Sequence, residues 1–335
     1  MNLLRKILLP FVPLYYFVTW IRNQLYDFGF KKSISYEFPV IAVGNLSVGG
    51  TGKSPMIEYL IRLLREKTRL ATLSRGYKRE TKGFQLADIR STVKEIGDEP
   101  LQFKVKYTDV LVGVDSDRRN GIDRLRKQNP MPDVILLDDA YQHRKVKAGL
   151  YILLTAYYDL YSDDIMLPTG NLREPKSGAI RADIIVVTKC PKDITIQNQN
   201  EIVNKLNIQP NQQLFFSTIE YGQQLMNTSG KLSIDSLQQT PFVLVTGIAN
   251  PSSLVSYYTS LGLNFNHIEY PDHYNFTKKD LESLQKHSLI ITTEKDYMRL
   301  ASDFSDQVLW YQPIEMKFID QQMAFDTKIM EFVEC

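Results

Sequence analysis

The sequence predicts an α/β fold, with a mostly parallel sheet carrying helices on both faces and a second, smaller α/β domain behind it. Three observations carry this. Apolar runs of four to six residues alternate with stretches whose apolar side chains recur at three- and four-residue spacing, the pattern of strands joined by helical crossovers. A glycine-rich loop separates the first such strand from the first such helix. A polar stretch, residues 222–240, rich in Gln, Ser, Thr and Asn, reads as a linker, and strand–helix alternation resumes after it. A chain of 335 residues has room for about two domains, and 43% hydrophobic content supplies a core for each.

At the N-terminus, residues 7–21 are apolar and aromatic, but the run falls short of the ~20 residues a spanning helix needs, and Pro10 and Pro13 interrupt it. No small-residue cleavage site follows, so a signal peptide is not expected. Tyr15, Tyr16 and Trp20, flanked by Arg5, Lys6 and Arg22, suit a lipid headgroup layer. A helix packed on the body of the protein is the other reading, and both stay open for different faces. Charge agrees with a special role here. Residues 1–32 hold five basic residues and one acid, net +4, which leaves about −2 for the rest of a chain whose total is +2. A general nucleic-acid surface is therefore not expected. Two cysteines, Cys190 and Cys335, make no disulfide framework and lack zinc-ligand spacing, which points to a reducing compartment.

Residues 40–55 organise the chain. Val40 to Val43 read as a buried strand; Gly49, Gly50 and Gly52 follow; Lys53-Ser54 closes the loop. From Pro55 a helix is expected, with Met56, Tyr59, Leu60, Leu63 and Leu64 on one face. Strand, glycine loop, Gly-Lys-Ser and helix form the context of a P-loop, so the sheet is expected to be of P-loop NTPase type. Backbone amides over Ser47, Val48, Gly49, Gly50, Thr51 and Gly52 would cradle phosphates at a helix N-terminus. Lys53 would reach the terminal phosphates and the Ser54 hydroxyl would hold Mg²⁺. Ser47 stands where the common spacing has a glycine.

A strand at 69–73 leads to Ser74-Arg75-Gly76-Tyr77, and residues 78–96 read as a polar loop or hairpin. Asp98 in Gly97-Asp98-Glu99-Pro100 is a plausible helix N-cap. A strand at 110–114 and a helix at 118–127 follow. Residues 134–139 read as a buried strand ending in Asp138 and Asp139, the acidic partner a P-loop needs for Mg²⁺; side chains alternate, so at most one points straight at the metal. Gln142-His143 comes next, with no catalytic role read for His143. After a strand at 151–155, the loop 167–175 carries Arg173 and Glu174, which on the residues alone read as a surface ion pair. A strand at 184–188 ends the first unit. The second unit opens with a strand at 242–246 and Gly247-Ile248-Ala249-Asn250-Pro251. It continues through Asp272-His273, whose His reads as a turn residue or a base, and a strand at 289–293 before Glu294-Lys295-Asp296.

In this order the motifs resemble the tetraacyldisaccharide 4′-kinase family, the lipid A 4′-kinases of Gram-negative bacteria. The resemblance rests on residues 43–55, Ser74-Arg75-Gly76-Tyr77, Gly97-Asp98-Glu99-Pro100, Asp138-Asp139 with Gln142-His143, Leu172-Arg173-Glu174-Pro175, residues 246–251, Asp272-His273 and Thr293-Glu294-Lys295-Asp296. It runs nearly end to end, and it accounts for Ser47. Departures are small: Ala140-Tyr141 where the family commonly has Gly-Phe, and Ser54 where Thr is frequent.

The resemblance implies transfer of the ATP γ-phosphate to the 4′-hydroxyl of a tetraacylated glucosamine disaccharide 1-phosphate, the lipid A precursor. It implies Asp98 and His273 as the pair that deprotonates this hydroxyl, with Lys53 and Mg²⁺ offsetting charge on the phosphoryl group. Asp138 and Asp139 would orient the metal, and Arg173 and Glu174 would stand on the active-site rim. Three segments are then expected: a membrane-interface segment at 1–32, a P-loop kinase domain at 33–225 and a smaller α/β domain at 226–335. The expected setting is a monomer, peripheral on the cytoplasmic face of the inner membrane. Because Asp98 and His273 belong to different domains, closure around nucleotide is expected.

Overall fold

The computed structural model describes residue 5 and residues 7–334; Lys6 and Cys335, both singled out above, lie outside the described residues. Helix α1 (Val12–Asp27) follows a single 3₁₀ turn, and Pro13 sits in its first turn, where proline is tolerated, instead of breaking it. Strand β1 (Val40–Asn45) leads through the glycine loop into α2 (Lys53–Leu64), then β2 (Leu70–Ser74). The polar segment expected as a loop or hairpin holds a two-residue strand, β3 (Gln85–Leu86), and a helical turn, α3 (Val93–Ile96), with a Thr92/Glu95 capping box. Next come α4 (Asp98–Lys106), β4 (Leu111–Val114), α5 (Arg118–Leu125), β5 (Val134–Asp138), β6 (Leu150–Ala156), β7 (Ile184–Thr188), α6 (Ile196–Leu206) and β8 (Gln213–Tyr221). The second unit contributes β9 (Gln224–Met226), β10 (Lys231–Ser233), β11 (Phe242–Thr246), α7 (Ser252–Ser260), β12 (Phe265–Glu269), α8 (Lys278–Leu284), β13 (Ile290–Thr293), α9 (Glu294–Leu300) and β14 (Leu309–Gln312). The chain ends with β15 (Ile314–Phe318) and α10 (Gln322–Glu334).

Nine strands form the first sheet in the order β15-β8-β7-β6-β1-β5-β2-β4-β3, parallel except at its two edges, where β15 and β3 run antiparallel to their neighbours. The second sheet orders six strands as β10-β9-β14-β13-β11-β12, with a parallel centre and an antiparallel β9–β10 hairpin at one edge. β1 lies in the middle of the first sheet with all six residues buried, so both faces of that strand are covered, as a parallel α/β sheet requires. The loops after β1 and β5 leave the same end of adjacent strands, where ligands of open α/β sheets sit.

Two expectations are corrected. Residues 222–240 are not a linker: they hold β9, β10 and a 3₁₀ turn, anchored by buried Leu225, Ile234 and Leu237. Of these two three-residue strands only Leu225 is fully buried, which is why they read as polar coil. The second unit also does not run to 335. β15 crosses back to pair with β8, and α10 buries Phe325 and Ile329 in the core of the first sheet beside Tyr59, Phe215 and Phe318. The two units meet along a seam where α4 packs against α9.

Among the described residues no helix is long and apolar enough to cross a membrane. Helix α1 buries only Thr19 and leaves Leu14, Phe17, Val18, Trp20 and Ile21 exposed. Its other side is tied to the body: Tyr15 Oη donates to the Arg173 carbonyl at 3.1 Å, Asn23 donates to Glu174 at 3.0 Å, and Asp27 pairs with Arg144 at 2.6 Å.

Candidate active site

The glycine loop is held open by contacts behind it. Val48 N donates to the Asn171 carbonyl at 2.8 Å, Ser47 bridges to Leu172, Asn45 Nδ2 donates to Thr51 Oγ1 at 2.7 Å, and Thr188 Oγ1 donates to the Thr51 carbonyl at 2.8 Å. Val48, Gly49 and Gly50 are left exposed. Gly52 caps α2 with φ +86, a left-handed conformation that a side chain would oppose. Lys53 and Ser54 therefore begin the helix at its positive end.

Two carboxylates close the opposite wall. Asp138 ends β5 fully buried, and its Oδ1 has no hydrogen-bond partner among the described residues. Burial, then the like charges of Glu99 and Asp139, outweigh Lys53 and Lys295 and push its carboxyl up to about 7. Asp139 turns away at φ +47 and pairs with Lys53 at 3.7 Å and Arg173 at 2.8 Å. Burial would raise its carboxyl, but Lys53 and Arg173 outweigh this and hold it below the ordinary range. The two aspartates thus do different work. Arg173 and Glu174 are not a surface ion pair. Arg173 binds Asp139 and Asn45, while Glu174 is buried behind it, not on the rim, and accepts from Arg181, Asn23 and Gln142 at 2.8, 3.0 and 2.9 Å.

Asp98 and His273, 175 residues apart, meet: His273 Nδ1 lies 2.9 Å from Asp98 Oδ2. Asp98 is not the N-cap of α4. Gly97 is, at φ +93, where an added Cβ would come within 3.1 Å of the Tyr77 carbonyl oxygen; Asp98 is the first helical residue, accepting the Glu99 amide on Oδ1 at 2.9 Å and turning Oδ2 to His273. His273 sits at φ +53, with its amide on the Gly247 carbonyl at 3.0 Å and its ring against the edge of Tyr77 at 5.0 Å. The Ser-Arg-Gly-Tyr motif and the Thr-Gly-Ile-Ala-Asn-Pro motif thus both serve to place this histidine. Arg299 donates to Asp98 Oδ2 and is itself held by Asp296 at 2.8 Å. Burial would raise the Asp98 carboxyl; the His273 hydrogen bond and the charges of Arg299 and Lys295 outweigh it and hold the carboxyl well below its usual range.

Glu99 links the two clusters. Adjacent to Asp98 in sequence, it accepts from Ser54 Oγ at 2.7 Å and pairs with Lys295. Behind it a buried network joins α2, α4 and α9: Lys106 bridges Glu58 at 2.6 Å and Glu294 at 3.0 Å, and Gln102 donates to both carboxylates. Glu99, Lys295 and Arg299 had no role assigned from sequence. Glu99 and Lys295 fall inside motifs quoted above; Arg299 gives no local signal.

No three His, Cys, Asp or Glu side chains among the described residues form a ready-made metal cage. What the site offers is Ser54 Oγ bonded to Glu99, and a buried Asp138 oxygen without a partner on which the Glu99 charge acts. Mg²⁺ suits such a site, since it keeps several waters and takes one or two protein carboxylates beside substrate phosphates. An uncompensated buried carboxylate atom next to a second carboxylate is stabilised by a cation, so the donor set fits.

Comparison with known proteins agrees with the motif order. The family model described as tetraacyldisaccharide-1-P 4′-kinase matches residues 4–334. The tetraacyldisaccharide 4′-kinases of Flavobacterium johnsoniae and Flavobacterium psychrophilum are 54% and 50% identical, each over 100% of this chain and 98% of its own length. A crystal structure titled as the "apo" form of LpxK from Aquifex aeolicus in complex with ATP superposes with a TM-score of 0.79 at 31% identity, covering 99% of this chain and all of that one.

Proposed function

The chain belongs to the tetraacyldisaccharide-1-P 4′-kinase family, and from that premise we propose how its residues carry out the reaction. The protein is a phosphotransferase that phosphorylates a lipid A precursor at the 4′ position, with ATP as donor. The bond from the γ-phosphorus to the β–γ bridging oxygen breaks, a new P–O bond forms to the 4′ oxygen, and the hydroxyl proton goes to the protein.

The observation that carries the mechanism is the Asp98–His273 contact at 2.9 Å with Glu99, the next residue, already on Ser54. Asp98 is held ionised and can only accept, so His273 Nδ1 carries the hydrogen and Nε2 keeps the lone pair. His273 Nε2 takes the 4′-hydroxyl proton, and Asp98 stabilises the imidazolium that forms. Arg299 keeps Asp98 anionic and fixes the plane of the carboxylate. The loop from Ser47 to Gly52 receives the phosphates on those of its amides not already bonded, the Val48 and Thr51 amides being taken by the Asn171 and Gly49 carbonyls, and Lys53 neutralises charge on the transferring group. Arg173 holds Asp139 in place beside Lys53. Ser54, Asp138 and Glu99 would hold Mg²⁺, which when bound supplies further positive charge to the phosphoryl oxygens.

The exposed apolar face of α1 would lie in the headgroup layer of the cytoplasmic leaflet of the inner membrane, where the acylated acceptor resides, with a monomer sufficient for catalysis. Since the opposite face of α1 holds Arg173 and Glu174, membrane contact and nucleotide site share one support. The test incubates the purified chain with labelled ATP, Mg²⁺ and the disaccharide 1-phosphate lipid in vesicles. Label is expected on the lipid 4′ position, and absent with His273→Ala. Replacing Leu14, Phe17 and Ile21 together by Ser should release the protein from anionic vesicles without loss of nucleotide binding; retained sedimentation would contradict the membrane reading.

A further inference from the structure

Lys295 opens the first turn of α9, in the second unit, yet its side chain reaches into the first. Its ammonium pairs with Glu99, the carboxylate that also accepts the Ser54 hydroxyl at 2.7 Å. It therefore stands two hydrogen-bonded groups from the start of the helix that follows the glycine loop. An ion pair clamping the two units is the plain alternative, and the seam already has one. Lys106 lies between Glu58 and Glu294, carboxylates only 2% and 4% exposed, a sealed structural site. The Lys295 pair is less enclosed: its partner Glu99 is 19% exposed, and the ammonium itself 28% against 18% for Lys106.

A second lysine marks the same cleft. Lys189, after β7 at φ +57, brings its Nζ to 3.6 Å from the position a Gly50 side chain would occupy. No carboxylate among the described residues pairs with it, and burial followed by the Lys295 charge lowers its pKa. Lys189 faces the loop from the first unit, and Lys295 reaches Ser54 through Glu99 from the second, so two ammonium groups flank one site suited to an anion.

We propose that Lys295 is a further catalytic residue, an ammonium supplied by the second unit that contacts the phosphoryl group as it passes from nucleotide to acceptor. The inference rests on the kinase reading above. Lys53 binds the phosphates of the resting nucleotide from the first unit; Lys295 acts from the far side, where charge builds as the P–O bond to the leaving group lengthens. Because it arrives on the same helix as Arg299, the unit that orders the proton-accepting pair also delivers this charge. Transfer is then enabled only when both units are in register.

The test compares full-length Lys295→Gln and Lys295→Arg with the unsubstituted chain in three measurements: single-turnover transfer to the lipid, affinity for Mg²⁺–ADP, and affinity for Mg²⁺–ADP with tetrafluoroaluminate, which mimics the phosphoryl group in flight. Lys295→Gln should lower transfer about 10²–10³-fold, leave ADP affinity within about threefold, and lose the extra tightness that fluoroaluminate confers. A residue that only clamps the units would weaken ADP and the mimic alike, and that result, or undiminished transfer, overturns the proposal. Lys295→Arg keeps the charge and the Glu99 pair and should fold in any event; transfer at least tenfold above that of Lys295→Gln supports the proposal, and transfer as low as that of Lys295→Gln with ADP affinity intact overturns it. Failure of the kinase reading shows separately, as absence of label on the lipid with the unsubstituted chain.

Discussion

The phosphate-holding loop and the proton-accepting pair are neighbours in space but are built in opposite ways. The loop comes from one contiguous stretch, residues 47–54, whose conformation is set by its own glycines and by contacts within the first unit. The pair comes from residues 98 and 273, and its supports come from both units, Tyr77 and Lys78 from the first and Gly247, Asp296 and Arg299 from the second. A loop of the first kind can bind nucleotide alone. A pair of the second kind exists only while α4 and α9 are packed together, so proton removal is conditional on the fold of both units. The difference teaches where selectivity resides: binding is local and the chemical step is global.

Substitutions that separate these two regions should separate binding from chemistry. His273→Ala is expected to have the largest effect, a loss of about 10²–10⁴-fold in transfer, with ADP affinity unchanged by equilibrium titration. Lys53→Met should lower transfer by about 10²–10³-fold and weaken nucleotide binding in the same assay, because its charge serves ground state and transition state alike. If both variants lose binding equally, the two regions are not distinct. The third difference is in metal dependence. With its carboxyl pushed up to about 7, Asp138 must release a proton to take Mg²⁺. Half-saturating Mg²⁺ should therefore fall as pH rises through about 7, and Asp138→Asn should raise the requirement and abolish that pH dependence.

The smallest effect is on stability at the seam. Burial, then the charge of Glu58, raises the Glu294 carboxyl from 4.5 to about 7. Between those values the folded protein holds a proton that the unfolded chain has released, so this group makes stability fall as pH rises through that window, by about 1–3 kcal/mol. Glu294→Gln should flatten that slope in urea melts between pH 5 and 8. An unchanged slope would mean that Lys106 and Gln102 keep the carboxylate ionised throughout.

Legibility in the sequence followed the same division. The strand, loop and helix around Lys53 could be read directly, because each signal lies within a dozen residues of the next. Asp138 could be read as the end of an apolar strand. The Asp98–His273 pair could not be derived that way: Asp98 had an ordinary explanation as a cap, and His273 as a turn residue. Only the ordered resemblance joined them. Residues 222–240 hid β9 and β10 because short edge strands bury little, with Leu225 and Leu232 among few apolar positions. The return of β15 was invisible for a different reason. Its alternation of Ile314, Met316 and Phe318 says that it is a strand but not which sheet it joins. Arg299 carries no motif; its role follows from Asp296, three residues earlier, anchoring one arm of its guanidinium while the other reaches Asp98.

The claim on which the mechanism stands is that Asp98 and His273 accept the proton as a single unit. A double-mutant cycle on single-turnover transfer, with Asp98→Ala, His273→Ala and both together, measures this coupling. If the residues act as one base, removing the second costs little once the first is gone, and the double variant should lie within about tenfold of the worse single one. Losses that multiply across the two substitutions would mean independent roles, and the shared-proton mechanism would be contradicted.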